Sequence, residues 1–328
     1  MGKKIRAFQF LGIVLLIYIL SRIDMKSMVQ VLSKTSLHAM LIGTVIALGA
    51  LVLSGIRWQL IISCVGRRIS LKDTLTLWLK GAYLDFFIPA KVGSLYKAKY
   101  LADHQNINIG KAGFTVVLER LLDLFSLFIL AIVGVFLLIG RYGVDLGEIP
   151  LVISFILFTA IIIVVMNKKA VLFFITLARP IIHKFLPEKT REHIKLGFDE
   201  FFNSIKMIGS FSSLVIFLLS MIIWFSRVIT IYILARGISL SLPFDLIAGM
   251  VPIAIILASL PITFLGFGTR EAVYIKVLAL ENIGSEQAVA LAFLAFIFTW
   301  LIYLIPAFLA HMIQLEGTIT DVKKKEKI

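Results

Sequence analysis

The feature that most constrains this chain is a series of apolar runs too long for strands and too continuous for soluble helices. Six of them lie at roughly 5–20, 38–63, 113–139, 149–166, 211–236 and 286–313. They reach or approach the ~20 residues a helix needs to cross a bilayer. None alternates as a barrel strand does. Composition agrees, with 60% hydrophobic and 16% charged residues against about 45–50% and 25% in soluble domains. The fold expected is an all-α polytopic membrane protein, a single transmembrane domain over 1–328.

Two further apolar stretches are interrupted. Between 71 and 100 the run from Leu75 to Phe87 carries Lys80 and Asp85, then meets Pro89 and Gly93. Between 243 and 280 the run from Leu246 to Leu260 meets Pro261, Gly266 and Gly268, then Arg270 and Glu271. Backbone groups freed by Pro and Gly inside a membrane are tolerated only where protein or a wet cavity satisfies them. Both stretches read as re-entrant or broken helical hairpins, added to about six full spans; two kinked full spans are the alternative. Each hairpin is followed by charged residues, by Asn-Ile-Gly (108–110 and 282–284) and by a long apolar run. Three spans lie between them, so a repeat here would be inverted, the arrangement of transporters whose broken helices meet at mid-membrane.

The formal charge of +14 would suggest nucleic acid in a soluble protein. Here the basic residues lie between apolar runs, which points to an anionic leaflet and to no nucleic-acid partner. With the N-terminus inside, 23 of the 33 Lys and Arg fall on the inner side and seven on the outer. Both termini are therefore expected in the cytoplasm, with the chain in the cell (plasma or inner) membrane. Lys3, Lys4 and Arg6 before Phe8 to Leu20 read as a retained first span, since no small-x-small site follows. Segment 167–208 combines Phe173, Phe174, Ile181, Phe185 and Leu186 with eight basic residues. It reads as an interfacial amphipathic segment on the cytoplasmic side, or else as a solvated loop; 315–328 is a basic cytoplasmic tail. The single Cys64 excludes an intrachain disulfide. The five His show no ligand spacing, so neither a metal nor another cofactor is expected. No P-loop or nucleophile elbow is present.

The candidate site residues are charges and glycines where lipid should be. Glu119, Arg120 and Asp123 fall near the start of the 113–139 run. A central charge costs about 2.5–3.5 kcal/mol on insertion scales, and the i,i+3 and i,i+4 spacing puts the three on one broad face. That face should point into protein or a wet cavity, with Arg57 and Arg227 as candidate counter-ions. It reads either as a translocation site or as an ion-pair cluster that sets helix register. In Gly266-Phe267-Gly268-Thr269-Arg270-Glu271, the glycines allow close approach of a ligand. A helix N-terminus with Arg270 suits a phosphate; a tight turn between packed helices is the alternative. Lys91, Gly93, Lys97 and Lys99, just after Pro89, form a basic rim able to recruit anionic lipid, or an ordinary positive-inside signal.

These motifs, in order, are Arg57-Trp58 with Leu60, then Phe87, Pro89 and Gly93, then Glu119-Arg120 with Asp123, then Gly266, Gly268, Arg270 and Glu271. The chain carrying them resembles the flippase-like, YbhN-like membrane proteins related to the transmembrane half of lysylphosphatidylglycerol synthase. The resemblance covers about 5–315. It implies movement of an anionic or phosphate-bearing lipid, or a lipid-linked intermediate, between leaflets. The aminoacyl-transferring domain of full-length synthases would follow the last span, so no enzymatic activity is expected of this chain. Where that family commonly carries an acidic residue and an arginine after the glycine, this chain has Ser94 and Lys97, and lysine lacks the bidentate fork. Two alternatives stand beside the lipid reading. One is a non-transporting membrane subunit of a cell-envelope enzyme. The other is an ion-coupled transporter of a small molecule. Self-association as a homo-oligomer is open in all three.

Overall fold

The computed structural model describes residues 17–21, 24–87, 93–105, 107–143, 159–160, 167–170, 172–173, 188–207, 209–259 and 263–309. Most of the expected first span (5–20), most of the 149–166 run, part of 167–208, the tail 315–328 and the residues Pro89, Lys91 and Pro261 lie outside these. Among the described residues every regular element is helical. We number them α1 (Met25–Ser33), α2 (Leu37–Cys64), α3 (Leu71–Phe87), α4 (Leu95–Gln105), α5 (Ile109–Tyr142), α6 (Glu188–Ile205), α7 (Ser210–Gly237), α8 (Phe244–Ser259), α9 (Thr269–Leu278) and α10 (Ser285–Phe296). A π turn at Ile297–Leu301 prolongs α10, and the apolar helix runs on to Leu309.

Among the described residues, four helices are long and apolar enough to cross a membrane: Leu37–Cys64, Ile109–Tyr142, Phe211–Gly237 and Ser285–Leu309. At about 1.5 Å per residue, the 28 residues of α2 extend about 42 Å, more than the ~30 Å hydrocarbon core. Their outward faces are apolar and uncovered: Val45 is 70% exposed and Phe211 79%. A soluble protein would hide such side chains, whereas lipid solvates them.

Contacts at the helix ends sort the bundle into two faces. On the first face Ser36 N–H donates to Gly237 O at 2.8 Å. Arg141 at the end of α5 pairs with Asp245 at the start of α8, and Tyr142 with Glu281 beyond α9. On the second face Gln59 Nε2 donates to Ile69 O at 2.6 Å, and Lys111 near the start of α5 pairs with Glu200 of α6 at 3.6 Å. The α3–α4 pair begins and ends on the second face; the α8–α9 pair begins and ends on the first. The shorter arms, α4 with 11 residues and α9 with 10, are far too short to cross. Both pairs are therefore re-entrant, from opposite faces. A long helix, two short arms and a long helix occur in that order twice, α2 to α5 and α7 to α10, running in opposite directions.

Each break is made by a glycine pressed against its own first arm. A Cβ on Gly93 would collide with the backbone of Leu84 and Asp85, and one on Gly266 with Ala258. The second break also passes through left-handed φ values, 51° at Leu265, 76° at Gly266 and 86° at Gly268, a region that costs little only for glycine. α5 and α8 pack backbone to backbone where Gly134 meets Gly249, as small residues permit in membranes.

The short α1 lies on the first face. Asp24 caps it by accepting from Lys26 N–H at 2.9 Å, and Met28 packs with Val289 and Ala290 at the start of α10.

Candidate functional site

The charges sit where the fold makes its interior. Glu119 is ten residues into α5, about 15 Å along its axis, and is itself buried within the bundle. Arg57 of α2 reaches across, its Nη1 donating to Asp123 Oδ1 at 2.6 Å and its Nη2 to Glu119 Oε1 at 3.4 Å. Ser220 Oγ of α7 accepts a further bond from Arg57 at 2.9 Å. Lys97 of α4 bonds Glu119 Oε2 and stands 4.6 Å above the Trp58 ring. Two indoles complete the carboxylates: Trp78 Nε1 donates to Glu119 and Trp224 Nε1 to Asp123, both at 2.9 Å. Arg120 pairs with Asp85 of α3, whose other oxygen accepts from Ser94 N–H at 2.9 Å. That bond ties the first hairpin's break to the ion network.

Three cations and three carboxylates are thus matched within low-dielectric surroundings. Burial of an isolated charge is costly, and pairing with full hydrogen bonding offsets that cost. The network borders a cavity of about 110 Å³. Its walls come from both hairpins and three of the long helices, through Trp78, Arg120, Trp224, Arg227, Ile255 and Trp300 among others. Arg227 is placed differently from the other cations. Its Nη1 donates to Thr299 O at 3.1 Å, and its guanidinium lies 4.8 Å from the Trp224 ring and 5.5 Å from Tyr303. Thr299 belongs to the π turn of α10, where carbonyls fall out of the regular ladder.

A second cluster surrounds the other break. Glu271 Oε2 accepts from Gly268 N–H at 2.6 Å, and Arg270 Nε donates to Glu271 Oε1 at 3.0 Å. Arg270 also faces the Phe296 ring at 4.9 Å. It borders a smaller cavity of about 30 Å³ that shares Ile255, Thr299 and Trp300 with the main one.

The structure therefore brings Arg57, Lys97, Glu119, Arg120 and Asp123 together, with Gly93 at the nearby break. Gly266, Gly268, Arg270 and Glu271 form the neighbouring cluster, and Pro89 lies outside the described residues. Three expectations change. The helix N-terminus expected to await a phosphate is filled by the chain's own Glu271, 0% exposed, which also occupies Arg270. Lys97, expected on a basic rim, is 3% exposed and inside the network, because Gly81 lets its stem pack against α3. Arg57 alone bridges both acids of α5, and Arg227 turns to a carbonyl instead. Sequence reasoning did not assign Asp85, Trp78, Trp224 or Thr299 to the site. Asp85 was visible as a charge in an apolar run. All four tryptophans of the chain are at this site, an association no linear spacing reveals.

The sequence of this chain matches that of the lysylphosphatidylglycerol synthase transmembrane region over residues 7–307. The chain belongs to that family. Among curated relatives of the lysylphosphatidylglycerol synthase transmembrane-region family, a UPF0104 membrane protein of Methanocaldococcus jannaschii is 25% identical over 317 residues, 94% of each chain. The match takes in both hairpins, the ion network and the cavity, so the site belongs to the family region and not to an appended segment.

Proposed function

We propose that the protein moves an anionic or phosphate-bearing lipid, or a lipid-linked intermediate, between the leaflets of the cell membrane. The observation that carries this reading is the cavity, charged and aromatic, at the meeting point of two hairpins that enter from opposite faces. Such a site offers a headgroup polar partners at the depth where the bilayer offers none. Hydrocarbon chains stay in lipid, so the protein needs no sealed aqueous pore. Opposed re-entrant hairpins provide two gates around one fixed site, the geometry of alternating access. In this reading the protein is a transporter without enzymatic activity. The second face, which bears α6 and more of the basic residues, is cytoplasmic.

The test is reconstitution into liposomes with a trace of fluorescent phospholipid and a membrane-impermeant quencher. Protein-containing vesicles should lose signal from both leaflets, and empty ones from the outer leaflet only. Vesicles carrying folded protein that protect the inner leaflet, for anionic and zwitterionic probes alike, would refute the reading and favour a non-transporting subunit.

A further inference from the structure

Among the charged groups around the main cavity, six are already committed. Arg57, Lys97 and Arg120 are met by Asp85, Glu119 and Asp123. Arg227 is the cation left over. Among the described residues it meets no carboxylate; its hydrogen bond goes to the neutral Thr299 carbonyl at 3.1 Å. Its buried Nε has no partner. The rings of Trp224 and Tyr303 hold the guanidinium without neutralising it. Arg227 itself is half-buried; Lys80, a buried cation that also meets no carboxylate among the described residues, does not line this cavity. Arg227 stands 17 residues after the start of α7 and ten before its end, about 26 and 15 Å from the two ends.

The geometry points to Arg227 as the residue that takes the ligand's negative charge, and to a singly charged phosphodiester headgroup as the ligand. This rests on the lipid reading above and assigns its chemistry. A guanidinium presents a planar fork that matches two phosphate oxygens, and a carbonyl bond is readily exchanged for a charge-assisted one. One surplus positive charge is balanced by one negative charge. A doubly charged phosphomonoester would restore an uncompensated charge of the opposite sign in the same low-dielectric space, unless it also broke a matched pair. Selection against the second negative charge is therefore built into the closed pairing of the other six groups.

The tryptophans supply a reporter. Trp78, Trp224 and Trp300 line the cavity and Trp58 lies beneath Lys97, so intrinsic fluorescence reads occupancy. The experiment titrates the full-length protein in detergent with three dihexanoyl lipids at pH 8. These are phosphatidylglycerol, phosphatidylcholine and phosphatidic acid, the last carrying roughly two negative charges as a phosphomonoester. Wild type should bind phosphatidylglycerol about tenfold more tightly than phosphatidylcholine, or 1.4 kcal/mol, and phosphatidic acid no more tightly than phosphatidylglycerol. R227Q should lose the phosphatidylglycerol preference. R227K, which keeps the charge, should retain it at lower affinity, and it carries the test if R227Q does not fold. A folded R227Q that binds phosphatidylglycerol as wild type does would overturn the Arg227 assignment and leave the lipid reading standing. Loss of the preference in a folded R227K would count against the charge argument. Phosphatidic acid bound tenfold more tightly than phosphatidylglycerol would overturn the single-charge inference. No saturable binding of any of the three by wild type would overturn the lipid reading itself.

Discussion

Replacing Glu119 by glutamine should destabilise the protein by about 3–5 kcal/mol, the usual cost of removing one member of a buried ion pair. The carboxylate is 4% exposed and its partner Lys97 equally so. Lys97 meets no other carboxylate within ion-pair distance among the described residues, so the glutamine amide leaves a buried ammonium beside a Trp58 ring that only partly compensates it. Arg57 suffers less, because Asp123 still holds it at 2.6 Å. Trp78 keeps an acceptor in the glutamine carbonyl. Most of the loss should therefore belong to Lys97, and a second change can expose that. K97M combined with E119Q removes both charges and restores an apolar stem. The double variant should regain at least about 2 kcal/mol relative to the sum of the single effects. The assay is reversible unfolding in mixed micelles with increasing SDS, followed by tryptophan fluorescence. A folded E119Q within about 0.5 kcal/mol of wild type, or single effects that simply add, would refute a charged Glu119–Lys97 pair.

Three further predictions follow from the same geometry. G93A and G266A should each lower the melting temperature or prevent accumulation, since a Cβ meets packed backbone or Ala258 at both breaks. G140A, with open space around it, should be neutral or gain up to about 1 kcal/mol. R270A should lose stability in step with activity, because it leaves Glu271 buried without its guanidinium partner, and R120A should do the same for Asp85, whose side chain is 6% exposed; a stable but inactive R270A would return Arg270 to the ligand. In a C64S background, single cysteines at Ser241 and Asn282 should react with an impermeant maleimide from one side of the membrane, and cysteines at Arg68 and His104 from the other. Labelling of Arg68 and His104 positions from opposite sides would refute re-entrance of the first hairpin.

Much of this architecture is legible in the sequence, for a local reason. A helix spans a bilayer because its own ~20 side chains are apolar, so α2, α5, α7 and α10 announce themselves. Breaks announce themselves too, since Gly93 and Gly266 change what the backbone can do at that point in the chain. Glu119, Arg120 and Asp123 had to face inward because lipid offers them nothing, and their spacing put them on one face. The family could be read from the order of those motifs. Pairing was not legible. Arg57 meets partners 62 and 66 positions away, and nothing local prefers it to Arg227 as their counter-ion. Asp85 looked like an isolated charge until α3 packed it against Arg120. Lys97 looked like a surface lysine until α4 folded back under α3. Glu271 looked like a neighbour of an anion site and proved to be its occupant. The sequence by itself marked the four described long apolar helices, the two breaks between shorter arms and the charges that must be sheltered, because those follow from transfer free energies and backbone freedom residue by residue. Only the tertiary structure decided which charge neutralises which and which cation is left over, because that depends on distances of a few ångströms between helices remote in the chain.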